Sequence, residues 1–185
     1  VTLNNEQAEV EQLDVNIGMA QGMLCAFDSL YININARRND LKGTDASGPG
    51  VYRLTDTTGD DQYDKVEYIV PMSDQAGEHG PHALVLSPDG QRIFFCSGNQ
   101  TDVPESAQGG AVPRHWSEDH LLGRMPDGRG FMRDRLAPGG WICSMNPDGS
   151  DVRLMATGFR NEYDIAFNPQ GDLFAYDADM EWDIG

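Results

Sequence analysis

Cationic side chains are scarce in this chain: 13 Lys and Arg stand against 30 Asp and Glu, a formal net charge of −17. Such a surface repels phosphate backbones and anionic lipid, so nucleic acid and membrane surfaces are excluded as expected partners. The same carboxylates suit divalent cations, or simply keep the surface solvated. Cysteine is equally sparse. Cys25, Cys96 and Cys143 form neither CxxC nor CxxCH, which excludes a zinc knuckle and a covalently attached c-type haem within these residues. Each lies in an apolar, strand-like context, where a buried free thiol is expected, and an odd count speaks against a disulfide framework. Long hydrophobic runs are missing too, and none could span a bilayer. No secretory signal pattern stands at the start. The chain opens on VTLNNEQ without an initiator Met and stops at EWDIG just after a strongly patterned segment, so a piece of a longer protein is expected.

What is present is turn chemistry and alternation. With 21 Gly and 10 Pro, the composition suits a turn-rich all-β domain rather than a helical bundle. Gly22–Ala36 reads as two strands about a turn at Asp28-Ser29, and Gly50–Val70 as two strands about an acidic turn. Three further hairpins share one device: Ser87-Pro-Asp-Gly, Asn146-Pro-Asp-Gly and Asn168-Pro-Gln-Gly. In each, Pro presets φ early in the turn and Gly supplies a positive φ later. A hairpin repeated along a chain buries little alone and is expected to stack radially. The reading is a β-propeller with four-stranded blades, and a β-sandwich is the alternative. At about 40–50 residues per blade the chain would supply a partial propeller of roughly four blades. The rhythm fails from Asn99 to Gly139, which reads as a long loop insertion. That segment gathers His115, Trp116, Glu118, Asp119 and His120, then Arg124, Arg129, Arg133 and Arg135, and HWSEDHLLGRM has the pattern of one short helix.

Four clusters carry chemistry. Asp56, Thr58, Asp60 and Asp64, with a backbone carbonyl near Gln62, are spaced like a calcium loop, although Thr58 stands for an acid, Asp61 for a glycine, and the later Glu is Glu67. A solvated hairpin turn is the plain alternative. His79 precedes a strand, where an imidazole can exchange a proton near neutral pH; Glu78 could orient a neighbour, and His82 stays unassigned. Arg160 offers a planar donor fork and Asn161 both a donor and an acceptor for an anionic ligand, or for loop hydrogen bonds. Asp177 and Asp179 belong to an acidic stretch, Tyr176–Asp183, whose mutual repulsion a cation would relieve.

The segment from His79 through GPHALVLSPDG resembles the catalytic-histidine strand of soluble quinoprotein glucose and sorbosone dehydrogenases, and GFRNEYDIAFNPQGDLF resembles a later segment of that family. Ser97-Gly-Asn-Gln is similar to a G-D-x element that follows the histidine strand. GEHGPHAL, PGGWIC, GFRNEYDIAFN and YDADMEWD resemble, more closely, the propeller modules of large planctomycete-type proteins labelled membrane-bound dehydrogenase. The resemblance implies a periplasmic or extracellular propeller of six or seven blades in the whole protein. It also implies calcium, pyrroloquinoline quinone and a sugar or alcohol substrate, with a c-type haem domain or protein as electron acceptor. By position His79 would be the base, Arg160 and Asn161 would line the cofactor, and Asp177 and Asp179 would lie near calcium. Glu162 stands where the family has Pro, and Pro81 and His82 replace small residues beside the base. The alternative function is a non-catalytic, calcium-stabilised propeller that binds carbohydrate or a protein partner.

Overall fold

A computed structural model describes residues 12–113, 132, 135 and 139–178, together with the backbone of 2–4 and 7–9. It is all-β in several sheets, none closed on itself. Among the described residues there is no α-helix, only a 3-10 turn at Arg38–Leu41, and no helix is long and apolar enough to cross a membrane. A short ribbon pairs β1 (Thr2–Asn4) with β2 (Gln7–Glu9). An antiparallel meander then runs through β3 (Ala20–Ala26), β4 (Ser29–Ile34), β5 (Gly50–Thr55) and β6 (Lys65–Pro71). A second runs through β7 (Pro81–Leu86), β8 (Ile93–Ser97), β10 (Gly140–Met145) and β11 (Arg153–Phe159). The two-residue β9 (Gln108–Gly109) adds parallel to the edge of β11. A final ribbon pairs β12 (Glu162–Phe167) with β13 (Leu173–Asp177).

Turn chemistry sets these hairpins. In the three Pro-Gly turns the glycine N–H donates to the carbonyl three residues back: Gly90 to Ser87 at 2.9 Å, Gly149 to Asn146 at 2.9 Å and Gly171 to Asn168 at 3.0 Å. The first hairpin differs from the sequence expectation by one residue. Phe27 and Asp28 both take positive φ, 52° and 50°, the two-residue turn that matches strand twist, so Ser29 already belongs to β4. The described strands amount to two four-stranded meanders and the ribbons. Asn99–Gly139 contributes only β9 among its described residues. His115, Trp116, Glu118, Asp119, His120, Arg124, Arg129, Arg133 and the helix expected there lie outside the described residues.

The sheets pack face on face. Tyr31 and Val51 of the first meander meet Leu84, Phe95, Trp141 and Met145 of the second in one buried cluster. The other face of the second meander, with Cys96 and Ile142, packs on Ile165 and Leu173 of the last ribbon. Alternation along β8 therefore buries both faces: Ile93 and Phe95 point one way, Phe94 and Cys96 the other. The outer face of the first meander, with Ile32, Ile34 and Leu54, is covered by Leu13, Val15 and Ile17 and by Leu41 and Ala46. None of the three cysteines is in a disulfide; Cys96 and Cys143 are buried as expected, but Cys25 is exposed because it falls on the outward side of β3.

The first strands of the successive units lie side by side, with β7 between β3 and β12. The approach of β3 to β7 depends on Gly22: a Cβ there would stand 2.3 Å from the His82 carbonyl oxygen, a backbone atom that cannot step aside. Gly22→Ala is expected to destabilise by about 2 kcal/mol or more through this clash. Thermal unfolding followed by circular dichroism checks it, and a melting temperature equal to wild type would contradict the close approach.

Candidate functional site

One end of this stack collects polar side chains. There β7 and β12 begin and β4, β8 and β13 end. The turn before β7 is clamped by residues from its neighbours. Asn35, just past β4, holds Gly77 twice: its Nδ2 donates to the Gly77 carbonyl at 2.7 Å and its Oδ1 accepts the Gly77 N–H at 2.8 Å. Past β8, the Gly98 N–H donates to Gly80 O at 3.1 Å and the Gln100 N–H to His79 O at 3.1 Å.

These clamps deliver His79 into the interior, 2% exposed, with Nδ1 at 2.8 Å from Asn99 Oδ1. An amide oxygen only accepts, so this orientation of Asn99 corresponds to the tautomer with its proton on Nδ1. Asn99 also ties this ring to the turn before β12, because its N–H donates to the Arg160 carbonyl at 2.7 Å. The Asn99 carbonyl in turn accepts from Arg135 Nε at 2.6 Å, and the rest of that guanidinium reaches Gln75 Oε1 and Asp102 Oδ1, both at 2.9 Å. A cation thus stands over this end of an otherwise acidic chain.

Arg160 and Asn161 arrive together. The Asp177 carboxylate accepts the Asn161 N–H at 2.7 Å and the Arg160 N–H at 3.0 Å, so its immediate work is to hold that turn. Asp179 lies outside the described residues. The backbones of His79 and Arg160 flank Gly98 so closely that a Cβ there would be 2.8 Å from one carbonyl oxygen and 3.0 Å from the other. The sequence candidates His79, Arg160, Asn161 and Asp177 therefore meet at one end.

Three partners in this cluster were not assigned from sequence. Asn99 was visible only as part of Ser97-Gly-Asn-Gln. His82 is 3% exposed, with Nε2 at 3.0 Å from Asn161 Oδ1 and its ring tilted against Tyr163 at 4.5 Å between centroids. Burial holds its pKa below the ordinary histidine value, with the hydrogen bond to Asn161 opposing. Glu162 is fully buried, its carboxyl pressed against Gly140, where a Cβ would lie 2.2 Å from Oε2. Burial, with a smaller push from the Asp177 charge, raises its pKa to about 10, so it is a neutral acid at pH 7. Beside it the Cys96 thiol, 3.4 Å from the Glu162 carbonyl, is also held well above its ordinary value, first by burial and then by Glu162.

The acidic hairpin loop lies elsewhere, between β5 and β6. Asp56 Oδ1 accepts the N–H groups of Thr58 at 3.0 Å and Gly59 at 2.7 Å, and Oδ2 that of Asp61 at 2.9 Å. Asp60 Oδ1 accepts from Gln62 at 3.1 Å, and Asp64 takes both the N–H and the hydroxyl of Thr57, at 2.9 and 2.7 Å. These amides hold the Asp56 carboxyl below the usual range. Among the described residues no group of three or more His, Cys, Asp or Glu converges as a metal cage. Where β3, β7 and β12 run together, a groove of about 200 Å³ opens, lined by Gln21, Met23, Ala83, Tyr163 and Asp164.

The lowered His82 value has a consequence for stability. The unfolded chain binds a proton at this ring near pH 6.5, while the folded ring resists it to lower pH. The contribution is complete above that value and is lost as pH falls. Between pH 7 and 5 the melting temperature of wild type is expected to fall relative to that of His82→Gln, the difference between the two proteins isolating this ring from other titrating groups; a difference that does not change with pH would contradict the burial of a neutral ring. No protein-family model matches the chain, and no curated protein matches it.

Proposed function

We propose that the chain is part of a four-stranded-bladed β-propeller that oxidises a carbohydrate or alcohol hydroxyl with a bound quinone as acceptor. The observation that carries this reading is the junction at Asn99. One residue meets the His79 ring through its side chain and straps the Arg160–Asn161 turn to the same end through its backbone. The stacking of successive meanders with their first strands adjacent supports the propeller, and the loops before those first strands then share one face.

The donor set suits a quinone that carries carboxylates: Arg160 and Asn161 would hold its oxygens, a planar fork beside an amide. When bound, the quinone supplies the two-electron acceptor. His79 Nε2 would take the substrate hydroxyl proton, and Asn99 keeps that nitrogen basic by binding the proton on Nδ1. Tyr163, Gln21 and Asp164 offer a ring face and polar groups for a sugar in the groove nearby. The setting is periplasmic or extracellular, with a c-type haem domain or protein as electron acceptor. Calcium is assigned to the Asp177–Asp179 end and to the Asp56, Thr58, Asp60 and Asp64 loop. An ion bound only by the folded chain raises the melting temperature, so an unchanged curve on adding calcium and on chelation would remove it.

The 2% exposure of His79 favours a second reading, a non-catalytic calcium-stabilised propeller that binds carbohydrate or a protein. Dye reduction separates the two. The purified chain, reconstituted with pyrroloquinoline quinone and calcium, is expected to reduce an artificial acceptor only when an aldose or alcohol is added. Absence of substrate-dependent reduction across a panel of both would overturn the enzymatic reading.

A further inference from the structure

His82 has no role in the chemistry above, yet it is built into the seam between β7 and β12. Its carbonyl accepts from Asn33 Nδ2 at 2.9 Å, tying it to the first meander. Its ring is buried against Tyr163 and reaches Asn161 Oδ1 at 3.0 Å. Gly98 leaves room for that contact, since a Cβ there would stand 2.8 Å from the same oxygen.

Asn161 is then fixed on three counts. Its N–H is bound by Asp177 at 2.7 Å, its carbonyl accepts the Ala178 N–H at 3.4 Å, and its Oδ1 faces the imidazole. An amide oxygen requires a donor, so this orientation of Asn161 puts the proton on His82 Nε2 and leaves Nδ1 without a partner, whereas a proton on Nδ1 would serve the Glu78 backbone instead. The remaining group of Asn161, Nδ2, donates to no protein group among the described residues. A carboxamide free to flip would present oxygen and nitrogen alternately. Held by an Nε2–H donor, it presents only two N–H groups.

We propose that His82 is a positioning residue: its Nε2–H locks the Asn161 carboxamide so that Nδ2 is a fixed donor for an oxygen-bearing ligand at the His79 end. The quinone reading above supplies the ligand's identity; the locking itself does not depend on it. Burial of the ring favours its neutral form, which carries a single N–H.

Long-range 1H–15N spectra of the labelled wild-type chain test the lock with no variant and no ligand. The expected result is a His82 ring protonated at Nε2 alone and one persistent pair of Asn161 Nδ2 signals. An Nδ1-protonated ring would overturn the proposal, because Asn161 would then donate to Nε2 and turn its oxygen outward. In His82→Gln, which keeps a terminal N–H donor, the Asn161 pair is expected to persist. In His82→Phe, which keeps the ring and loses the donor, it is expected to exchange with solvent faster. Titration with pyrroloquinoline quinone adds the binding readout: affinity about tenfold weaker in His82→Phe and within about threefold of wild type in His82→Gln, the loss matching one hydrogen bond. Equal loss in both variants would overturn the donor role. Nε2 protonation in a wild-type chain that binds no quinone would uphold the lock and discard the quinone.

Discussion

His79→Gln is expected to lower substrate-dependent dye reduction by about 10²–10⁴-fold, the usual range for losing a positioned general base. Quinone affinity should stay within about threefold of wild type. Glutamine keeps a polar amide of similar reach, so it can still engage Asn99, which stands 2.8 Å from His79 Nδ1. What it cannot do is accept a proton at the position of Nε2. The split between turnover and binding is the informative part. A structural histidine at this point, 2% exposed and clamped through Gly77 and Gln100, would on substitution lower both together, through misplacement of the Arg160–Asn161 turn. Steady-state kinetics with equilibrium quinone titration checks the split, and a variant that turns over at more than a tenth of the wild-type rate would remove His79 from the chemistry.

Glu162→Gln is expected to stabilise the protein, by an amount that grows with pH. The folded carboxyl has a pKa raised to about 10 by burial, while the unfolded one ionises near 4.3. Between those values the unfolded state gives up a proton that the folded state keeps, so wild-type stability falls as pH rises through that window. At pH 7 the penalty is on the order of 4 kcal/mol. Glutamine has no proton to lose, so the variant escapes it. For a chain of this size the gain corresponds to a melting temperature higher by about 8–15 °C at pH 7, with little gain at pH 4.5. Melting curves at pH 4.5, 6, 7 and 8.5 give the comparison. A difference between the two proteins that does not change with pH would mean that the carboxyl is solvated or charged in the fold.

Local signals carried the hairpins and not their assembly. Pro and Gly at fixed places in Ser87–Gly90, Asn146–Gly149 and Asn168–Gly171 specify a bend whatever surrounds them, and each bend stands where the sequence put it. Alternation marks a strand but not which face meets which neighbour. Cys25 was read as buried for that reason, and β3 turns it outward. Glu162 reads as a polar residue before a strand; only the packing of β12 on β8 and β10 makes it a neutral interior acid. The acidic loop shows a different ambiguity. Carboxylates at Asp56 and Asp60 have the spacing of ion ligands and equally the spacing that binds amides two or three residues ahead, which is how the structure uses them. The site was half legible. His79, Arg160, Asn161 and Asp177 are brought to one end. Asn99, which links the first two, and His82, which grips the third, take their roles from contacts between sheets that no local pattern encodes.

The central claim is that this polar end holds a quinone beside His79, and calorimetric titration of the wild-type chain with pyrroloquinoline quinone in the presence of calcium tests it most directly. The account predicts saturable binding at one site per chain, weakened at least about tenfold by Asn161→Ala. Heat that never saturates up to millimolar quinone, or binding that Asn161→Ala leaves untouched, would contradict it.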